Sequence, residues 1–414
     1  MEIHIVGGCY PEICHWPRID EIHGSGGRAA EVIAQLSQEA GTHLHSVLES
    51  RLLSKLQQKF SLLECEFHIE SSSCTPVFEY EHPLSRPNIY PDVYQIDKDL
   101  KIEIRVKADN VIVFGMLEAS SDVSADRLVY DPQNSISPDL FSETKNKAKE
   151  LSIILNQAEA RKLFDKVNGE SASNEMSIET IAESLLCSES AAVIVVKCGQ
   201  RGAYIRDSSN NSDWISAYKT DVIFPIGSGD CFVAAYSYYW MEKRLSPCDA
   251  ARYASVITAF YCENRIFPDQ NNVDQLFQQY SALKCHDNSK KKVYLAGPFF
   301  NLQEMWLINQ ARNALCNTGI DVFSPYHDVG PGSAEEVVHH DIDAIEKSDA
   351  LYALFDGNDP GTLFEIGYAI KCGIPVIIYS ENASDEHLKM YEGTGCLVCR
   401  DFSSSIYQLS WHLN

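Results

Sequence analysis

The sequence lacks several features that would place it in a common functional class. No apolar run approaches the roughly 18 residues that a membrane-spanning helix needs, so we expect no contact with a membrane. Basic side chains are scarce, with 34 Lys and Arg against 58 Asp and Glu, and the net charge of −24 argues against nonspecific nucleic-acid binding. The Gly-x-x-x-x-Gly-Lys-Ser/Thr pattern is absent, which excludes a P-loop enzyme.

The 14 cysteines do not form a pattern typical of zinc or disulfide sites. Cys396-Leu-Val-Cys399 is the one Cys-x-x-Cys pair in the sequence, and a zinc site of this type would need a second pair. Other cysteines lie in apolar stretches, as small buried side chains do in a reducing compartment, for example Cys187, Cys198, Cys231 and Cys262. The first residues are typical of a strand rather than a secretion signal, so we expect a cytoplasmic protein.

Length and composition predict two domains. At 414 residues the chain can form two or three domains, and a hydrophobic content of 45% is enough for two buried cores. A short polar stretch, Lys284-Cys-His-Asp-Asn-Ser-Lys-Lys-Lys292, comes directly before a new apolar strand, as linkers do. We therefore predict an α/β domain over 1–284, a linker over 285–292 and a smaller α/β domain over 293–414.

The densest group of functional residue types lies in the predicted second domain. The segment Asp359-Pro-Gly-Thr-Leu-Phe-Glu365-Ile-Gly-Tyr-Ala369 places two carboxylates around a turn and a helix start. Strands, Gly/Pro turns and helices alternate around it, as in a parallel α/β unit. Ligands bind such sheets at the carboxyl ends of strands, so Asp359 and Glu365 are candidate active-site residues.

Residues 291–414 resemble the nucleoside 2-deoxyribosyltransferases, which cleave the bond between a nucleobase and deoxyribose through a covalent glycosyl-carboxylate. The family pattern is matched in order by Tyr294, Asp341, Asp359, Glu365, Gly367, Tyr368 and Ala369. The resemblance implies a flavodoxin- or Rossmann-like parallel sheet and a site that needs no cofactor. It also implies roles for individual residues: Glu365 as nucleophile, Tyr294 as its hydrogen-bonding partner, Asp341 and Asp359 for binding and proton handling, and Gly297 and Phe299 for substrate binding.

Simpler explanations exist for some of these acids. Asp359 would also serve as the cap of the helix that follows it. Asp343 is more typical of a solvated helix residue, and Asp349 of a cap before the next strand. The carboxyl-terminal region gives no clear match to the Asn that family members often supply to the site, so hydrolase and transferase activity both stay open.

A second candidate site lies upstream, in Phe224-Pro-Ile-Gly227-Ser-Gly229-Asp230, where small residues precede an acid at a helix start. Gly227, Ser228 and Gly229 let backbone N–H groups converge on an anion at a helix N-terminus. Asp230 is placed to accept a hydroxyl proton. Taken alone, an ordinary capped helix would produce the same pattern.

Three further motifs strengthen this prediction: Gly24-Ser-Gly26-Gly27-Arg-Ala-Ala-Glu31, then Asn156-Gln-Ala-Glu159, then Lys197-Cys-Gly199-Gln-Arg-Gly202. With these motifs in order, residues 1 to about 284 resemble the PfkB, or ribokinase-like, carbohydrate and nucleoside kinases. The resemblance implies an α/β/α fold, Asp230 as general base, ATP as phosphoryl donor, and Mg²⁺ organised indirectly through Asn156 and Glu159. Substrate or ATP contacts would come from Gly24, Gly26, Gly27, Lys197, Gly199, Gly202, Gly227, Ser228 and Gly229.

Departures from the PfkB pattern concern the sugar. Glu31 stands where the family signature usually has an Asn that contacts sugar hydroxyls, and the early substrate Asp has only imperfect counterparts in Glu12 and Asp20. The residues expected to act in phosphoryl transfer therefore match the family pattern better than the residues expected to bind the sugar. A domain that binds nucleotide without catalysis stays open as an alternative.

The two sets of site residues support two hypotheses. In the first, a bifunctional enzyme of nucleoside or nucleotide metabolism breaks an N-glycosidic bond in one domain and phosphorylates the released sugar or a nucleoside in the other. In the second, a regulated effector, for instance in phage defence, senses a nucleotide in its kinase-like domain and gates a glycosidase acting on deoxynucleotides or NAD. Both imply small-molecule partners, and the family resemblances imply a homo-oligomer.

Overall fold

The computed structural model describes residues 2–37, 41–93, 95–96, 102–134, 137–174, 176–284, 291–330 and 334–413. The chain divides into two compact units, the first formed by Met1–Thr220 with Pro225–Cys285 and the second by Asp221–Phe224 with His286–Asn414. Apart from 291 and 292, the predicted linker lies outside the described residues. None of the described helices is both long enough and apolar enough to cross a membrane.

The first unit contains fifteen strands and seven α-helices among the described residues. The strands are β1 (Glu2–Val6), β2 (Pro11–Cys14), β3 (Ile19–Ile22), β4 (Gly41–Leu48), β5 (Cys65–Ser71), β6 (Val77–Tyr80), β7 (Asn88–Tyr90), β8 (Ile102–Phe114), β9 (Ala119–Asp131), β10 (Lys147–Asn156), β11 (Val193–Lys197), β12 (Ala203–Asp207), β13 (Ser212–Ile215), β14 (Tyr218–Lys219) and β15 (Ser281–Ala282). The helices are α1 (Gly24–Leu36), α2 (Ser50–Lys59), α3 (Gln157–Asn168), α4 (Ile178–Ser188), α5 (Ser228–Ser237), α6 (Pro247–Asn264) and α7 (Val273–Gln279).

A large mixed sheet forms the centre of this unit. Across the described residues its strand order is β13-β12-β11-β10-β9-β8-β1-β4-β5. The strands from β5 to β11 run parallel, and β12 and β13 add to them in antiparallel orientation. A smaller sheet has the order β3-β2-β6-β7, and β14 pairs with β15.

The large sheet separates two apolar cores, which gives three α/β/α layers. On one face, side chains such as Ile5 and Val195 pack with α1, α5 and α6. On the other face, side chains such as Val113 and Ile194 pack with α3 and α4. Strands buried on both faces require continuous apolar runs, and Val193-Ile-Val-Val196 in β11 is such a run.

The second unit is a parallel α/β sheet. The described strands are β16 (Lys292–Ala296), β17 (Asp321–Phe323), β18 (Ala350–Leu354), β19 (Val376–Tyr379) and β20 (Leu397–Cys399), in the order β17-β16-β18-β19-β20. The helices are α8 (Leu302–Asn317), α9 (Pro325–Asp328), α10 (Ala334–Glu346), α11 (Pro360–Cys372), α12 (Asp385–Gly393) and α13 (Phe402–Leu413). All pairings in this sheet are parallel, so the predicted parallel-sheet α/β domain is confirmed.

Candidate active sites

In the second unit, a tyrosine on the sheet meets a glutamate on a helix. Tyr294 lies in β16 and is fully buried, and its hydroxyl donates a hydrogen bond of 2.6 Å to Glu365 Oε1 on α11. Burial raises the pKa of Glu365 to about 7; the Tyr294 hydrogen bond opposes this rise, and Asp341 and Asp359 add to it. We therefore expect the carboxyl group of Glu365 to lose its proton near neutral pH.

Asp341 and Asp359 differ in how they are bound. Asp341 lies half-buried on α10, and within the described part of the chain its buried Oδ1 has no hydrogen-bond partner. Burial raises the pKa of Asp341, and His340 partly opposes that rise. Asp359 caps α11, because its Oδ2 accepts bonds from Thr362 N at 2.7 Å and Thr362 Oγ1 at 2.9 Å. Asp359 is thus a helix cap whose charge also acts on Glu365.

Gly297 and Phe299 both follow β16. A Cβ added to Gly297 would lie 3.0 Å from Leu354 Cβ, so a side chain here would press on β18. The Phe299 ring stacks on Phe300 with centroids 5.1 Å apart and lies 5.4 Å from the ring of Tyr326. These contacts place aromatic surface beside the end of β16.

The two weaker candidates among the acids of this unit, Asp343 and Asp349, have structural partners. Asp343 is exposed and pairs with Lys347 at 3.4 Å, and Asp349 Oδ2 accepts a bond from Lys292 N at 2.7 Å. Sequence reasoning missed Asp356, which accepts bonds from Ser380 Oγ and from the backbone N–H groups of residues 381–383. Asp356 follows β18 by two residues, and this position at the end of a strand could have identified it from the sequence. Its hydrogen bonds order the loop before α12.

In the first unit, the acid predicted as general base is paired on both oxygens. Asp230 lies buried in the first turn of α5, and its Oδ2 accepts a bond of 2.7 Å from Arg28 Nη1. The side-chain amide of Gln133 donates to Asp230 Oδ1. Arg28 Nη2 also binds Glu12 Oε2 at 2.5 Å, so two carboxylates share one buried guanidinium.

Gly227 lets this arginine approach the start of α5. Its φ of +78° lies in the left-handed region, and an added Cβ would sit 2.1 Å from Arg28 Cζ. A residue other than glycine would therefore collide with the guanidinium and strain the backbone. Arg28 was missed by sequence reasoning, although a single charged residue within the small-residue stretch Gly24–Ala30 was a usable signal.

A lysine lies at the N-terminus of α5 beside the predicted anion site. Lys197 Nζ is 2.8 Å from Asp131 Oδ2, and it would be 3.4 Å from a Cβ added to Gly229. The N–H of Ser228 donates to the carbonyl oxygen of Pro225 at 3.0 Å. The start of α5 therefore combines the positive end of a helix with a largely buried ammonium, and this positive charge suits phosphate oxygens.

The other predicted residues of this unit have local contacts of their own. Asn156 and Glu159 form the capping box of α3, with bonds of 2.8 and 2.9 Å. Burial and, after it, the charge of Asp131 raise the pKa of Glu159 to about 7.

Gly24 and Gly26 bring α1 against the loop after β1, since added Cβ atoms would lie 2.4 and 2.6 Å from the carbonyl oxygens of Gly8 and Gly7. At Gly27 an added Cβ has ordinary contacts, the nearest at 3.5 Å. Gly199 and Gly202 form the turn between β11 and β12.

Comparison with protein families connects these two sites to known enzymes. Residues 120–265 match the model of the pfkB family carbohydrate kinases, and residues 293–398 match the model of the nucleoside 2-deoxyribosyltransferases. The first match lies almost wholly in the first unit and the second match in the second unit, and we call the two units PfkB-type and deoxyribosyltransferase-type after these matches. No curated protein matches the sequence.

Solved structures give the fold of the PfkB-type unit. Ribokinase from Giardia lamblia is 16% identical, and the match covers 67% of this chain and 98% of that chain with a TM-score of 0.50. Ribokinase from Thermotoga maritima is 14% identical over 67% and 99% of the two chains, with a TM-score of 0.48. Fructokinase from Vibrio cholerae, bound to fructose, ADP and calcium, is 14% identical over 66% and 98%, with a TM-score of 0.46. At such identities the likeness concerns the fold, and the predicted ribokinase-like fold is confirmed by the first of these structures.

The PfkB-type unit fits a nucleoside triphosphate with Mg²⁺ better than it fits a sugar acceptor. The α5 N-terminus and Lys197 suit phosphate oxygens, and the charge of Asp131 helps to raise the pKa of Glu159. Asp131 and Glu159 are the carboxylates of this region that would hold a hydrated Mg²⁺, which prefers oxygen ligands. By contrast, Glu31 lies 2.7 Å from His23 Nε2 and is engaged by this histidine.

Proposed function

We propose that the deoxyribosyltransferase-type unit cleaves the N-glycosidic bond of a nucleoside or nucleotide, with Glu365 as the nucleophile. The observation that supports this most directly is the partly buried hydrogen bond from Tyr294 to Glu365 Oε1. The bond fixes the carboxylate and leaves Oε2 to attack C1′ of the sugar. As the new C–O bond forms, the C1′–N bond breaks and its electron pair passes to the base.

Asp341 supplies the proton that the leaving base requires. Its pKa is raised by burial, so it holds a proton at higher pH than a solvated aspartate does. Its Oδ1 has no partner in the described chain and is therefore available to a ligand. Asp359 stabilises the start of α11 and adds negative charge beside the sugar, where positive charge develops. Water or a second base then displaces Glu365 from C1′.

The test is mass-spectrometric detection of free base from pooled nucleosides, deoxynucleotides and NAD. Glu365→Gln should lower base release by at least about a thousandfold, as loss of a nucleophile does. Asp343→Asn, at an exposed acid of the neighbouring helix, should keep the wild-type rate. Base release that persists undiminished in Glu365→Gln would overturn the role of Glu365, and the products formed would show whether water or a base is the acceptor.

A second function is favoured by the pairing of Arg28 with Asp230. We propose that the PfkB-type unit binds ATP with Mg²⁺ as a regulator of the glycosidase and does not transfer the phosphoryl group. A general base needs an oxygen that can reach the acceptor hydroxyl, and each oxygen of Asp230 already accepts one hydrogen bond, from Arg28 and from Gln133, which leaves fewer acceptor sites for a hydroxyl. In the bifunctional interpretation an acceptor hydroxyl would compete with Arg28 and Gln133 for Asp230, and any movement of Arg28 would disturb the buried pair that it forms with Glu12.

This second proposal is tested by measuring ATP binding and product formation together. Wild type should bind ATP with Mg²⁺ and give no phosphorylated product from pooled sugars and nucleosides. Arg28→Gln, checked for folding by circular dichroism, should alter ATP binding because it leaves two buried carboxylates without their cation. Arg252→Gln is the matched control, because Arg252 also pairs with two carboxylates but is half exposed. Phosphorylated product from the wild type would overturn the proposal and restore the bifunctional enzyme.

A further inference from the structure

Four histidines lie together on one face of the large sheet. His4 is in β1, His43 and His45 are two residues apart in β4, and His68 is in β5 with Glu66. The parallel register places His4 beside His43 and His43 beside Glu66 in one row, and His45 beside His68 in the next. We name these five residues the histidine cluster. The predicted nucleotide chemistry uses none of them.

Three side chains of the cluster have the spacing of metal ligands. His43 Nδ1 is 3.4 Å from His68 Nε2 and 3.4 Å from Glu66 Oε2. His68 Nε2 is 3.5 Å from Glu66 Oε1. These separations are longer than good hydrogen bonds, which are about 2.7–3.2 Å. The 3.4 Å between the two imidazole nitrogens matches an edge of a tetrahedron around a zinc ion, which is roughly 3.3–3.5 Å when the bonds are about 2.0–2.1 Å. Each imidazole also has one oxygen of Glu66 at a similar distance, Oε2 for His43 and Oε1 for His68.

The other two histidines hold the ligand rings in place. The ring of His4 stacks on His43, and the ring of His45 stacks on His68, each with centroids 4.4 Å apart. His4 Nδ1 and His45 Nε2 are 2.9 Å apart and share a hydrogen bond. Stacking and this bond limit the rotation of the two ligand imidazoles, as supporting contacts do in established metal sites.

An ion can reach these ligands from solvent. The side chain of His43 is 15% exposed, whereas those of His68 and Glu66 are 39% and 64% exposed. The strand that carries the two exposed ligands, β5, is the last in the described sheet order. A second group, Glu2 with His4 and His43, shares one ligand but is looser, with 3.8 Å between Glu2 Oε2 and His4 Nε2.

We propose that His43, His68 and Glu66 bind a divalent transition-metal ion of the zinc type, with water in the fourth position. Two imidazole nitrogens and one carboxylate suit Zn²⁺ and related ions, whereas Mg²⁺ and Ca²⁺ prefer oxygen ligands throughout. The site is separate from the Mg²⁺ expected with ATP. Because the ligands come from β4 and β5, a bound ion ties the edge strand to its neighbour and stabilises that side of the sheet.

The test is a Zn²⁺ titration of the chelator-treated full chain against a chromophoric competitor. His68→Ala and Glu66→Gln should weaken binding at this site at least tenfold, and Zn²⁺ should raise the melting temperature of the wild type more than that of either variant. His15→Ala is the matched control, because His15 is an exposed histidine 2.7 Å from Glu79 but belongs to neither three-ligand group. Equal Zn²⁺ uptake and equal thermal shifts in wild type and His68→Ala would overturn the site.

Thiols are the competing explanation for Zn²⁺ uptake, because the chain has 14 cysteines. Co²⁺ separates the two cases, since thiolate ligands give intense near-ultraviolet charge-transfer bands and imidazole or carboxylate ligands do not. The wild type should take up one Co²⁺ with a tetrahedral visible spectrum that lacks those bands, and His68→Ala should lose this spectrum. A spectrum dominated by thiolate bands and unchanged in His68→Ala would assign the ion to cysteines and overturn the proposal.

Discussion

At the scale of single residues, Tyr294 and Glu365 show how one hydrogen bond sets the properties of a buried acid. Burial alone disfavours the ionised carboxylate that nucleophilic attack requires. The hydroxyl of Tyr294 favours that ionised form and so lowers the pKa of Glu365 relative to burial without this partner. Tyr294 therefore positions Glu365 and also increases the fraction of Glu365 that is ionised and able to attack.

Replacing Tyr294 by Phe should change the pH dependence of base release. Because the hydrogen bond lowers the pKa of Glu365, its loss should raise that pKa above about 7 and move the acid limb of kcat/KM to higher pH. We expect a loss of about tenfold at pH 8 and a larger loss at pH 6. Tyr352→Phe is the control, because Tyr352 is equally buried on β18 but bonds to Ser405. An unmoved acid limb in Tyr294→Phe would contradict this role.

The raised pKa of Glu365 also predicts how stability depends on pH. At pH values below 4.5, the ordinary pKa of a glutamate, Glu365 is protonated in both the folded and the unfolded chain, so it does not change the free energy of unfolding. Between 4.5 and about 7 the folded chain keeps a proton that the unfolded chain releases, so stability falls as pH rises. Above about 7 the destabilisation is complete, at most about 3 kcal/mol for a shift of this size.

Glu365→Gln removes this ionisable group and should therefore stabilise the protein at pH 8 but not near pH 4.5. Urea unfolding at both values, followed by a probe in the second unit, measures the difference. Asp343→Asn should show no such trend, because that acid is exposed. A Glu365→Gln variant that gains no stability at pH 8 relative to pH 4.5 would argue against a buried, ionised Glu365.

Some residue roles could be predicted from the sequence and others could not. Asp359 and Glu365 lie on one short segment, so their spacing and their place after a strand were visible. The contact of Arg28 with Asp230 joins residues 202 positions apart, and nothing local in either segment specifies it. The resemblance to kinases predicted Asp230 as a base, whereas only the packing of α1 against α5 shows that the Arg28 guanidinium binds the carboxylate of Asp230.

At the scale of elements, the turn between β11 and β12 contains two glycines with different requirements. Gly199 has φ of +58° and open space around an added Cβ. Gly202 has φ of +84°, and an added Cβ would sit 1.9 Å from the carbonyl oxygen of Ile215 in β13. Only the second glycine is needed both for its conformation and for close packing.

The two alanine variants of this turn should therefore differ. Gly199→Ala should cost about 1–2 kcal/mol of unfolding free energy, the ordinary cost of a left-handed alanine. Gly202→Ala should cost at least twice as much, because β12 and β13 must separate to admit the methyl group. Urea unfolding gives both values, and ATP titration shows whether the turn also shapes the nucleotide site. Equal costs would mean that the turn relaxes freely around Gly202.

Elements were easier to predict than the contacts between them. The start of α11 followed from Asp359 and Pro360, and the start of α5 from its glycines, because these signals are local. The histidine cluster was not visible, since it depends on the register of β1, β4 and β5. His4 and His43 stand 39 residues apart in the chain, and a shift of one residue in either pairing would turn the rings to opposite faces.

At the scale of the whole molecule, the chain combines a predicted anion site in one unit with the acid cluster that we propose as a glycosidase site in the other. The net charge of −24 leaves little reason for a polyanion to bind either unit, so small ligands are the expected partners. Homo-oligomerisation stays a prediction from family resemblance. What decides between a bifunctional and a regulated enzyme is whether ligands at the two sites influence each other.

If ATP regulates the glycosidase, the influence must be mutual. ATP bound with Mg²⁺ should change the dissociation constant of the glycosidase substrate about fivefold or more, and the substrate should change the dissociation constant of ATP by the same factor. Glu365→Gln allows both constants to be measured by calorimetry without turnover. Gly229→Asp, which places a carboxylate at the α5 anion site within reach of Lys197, should abolish ATP binding and with it the coupling. If both ligands bind and neither changes the affinity of the other, the two units act independently, and regulation through nucleotide affinity is wrong.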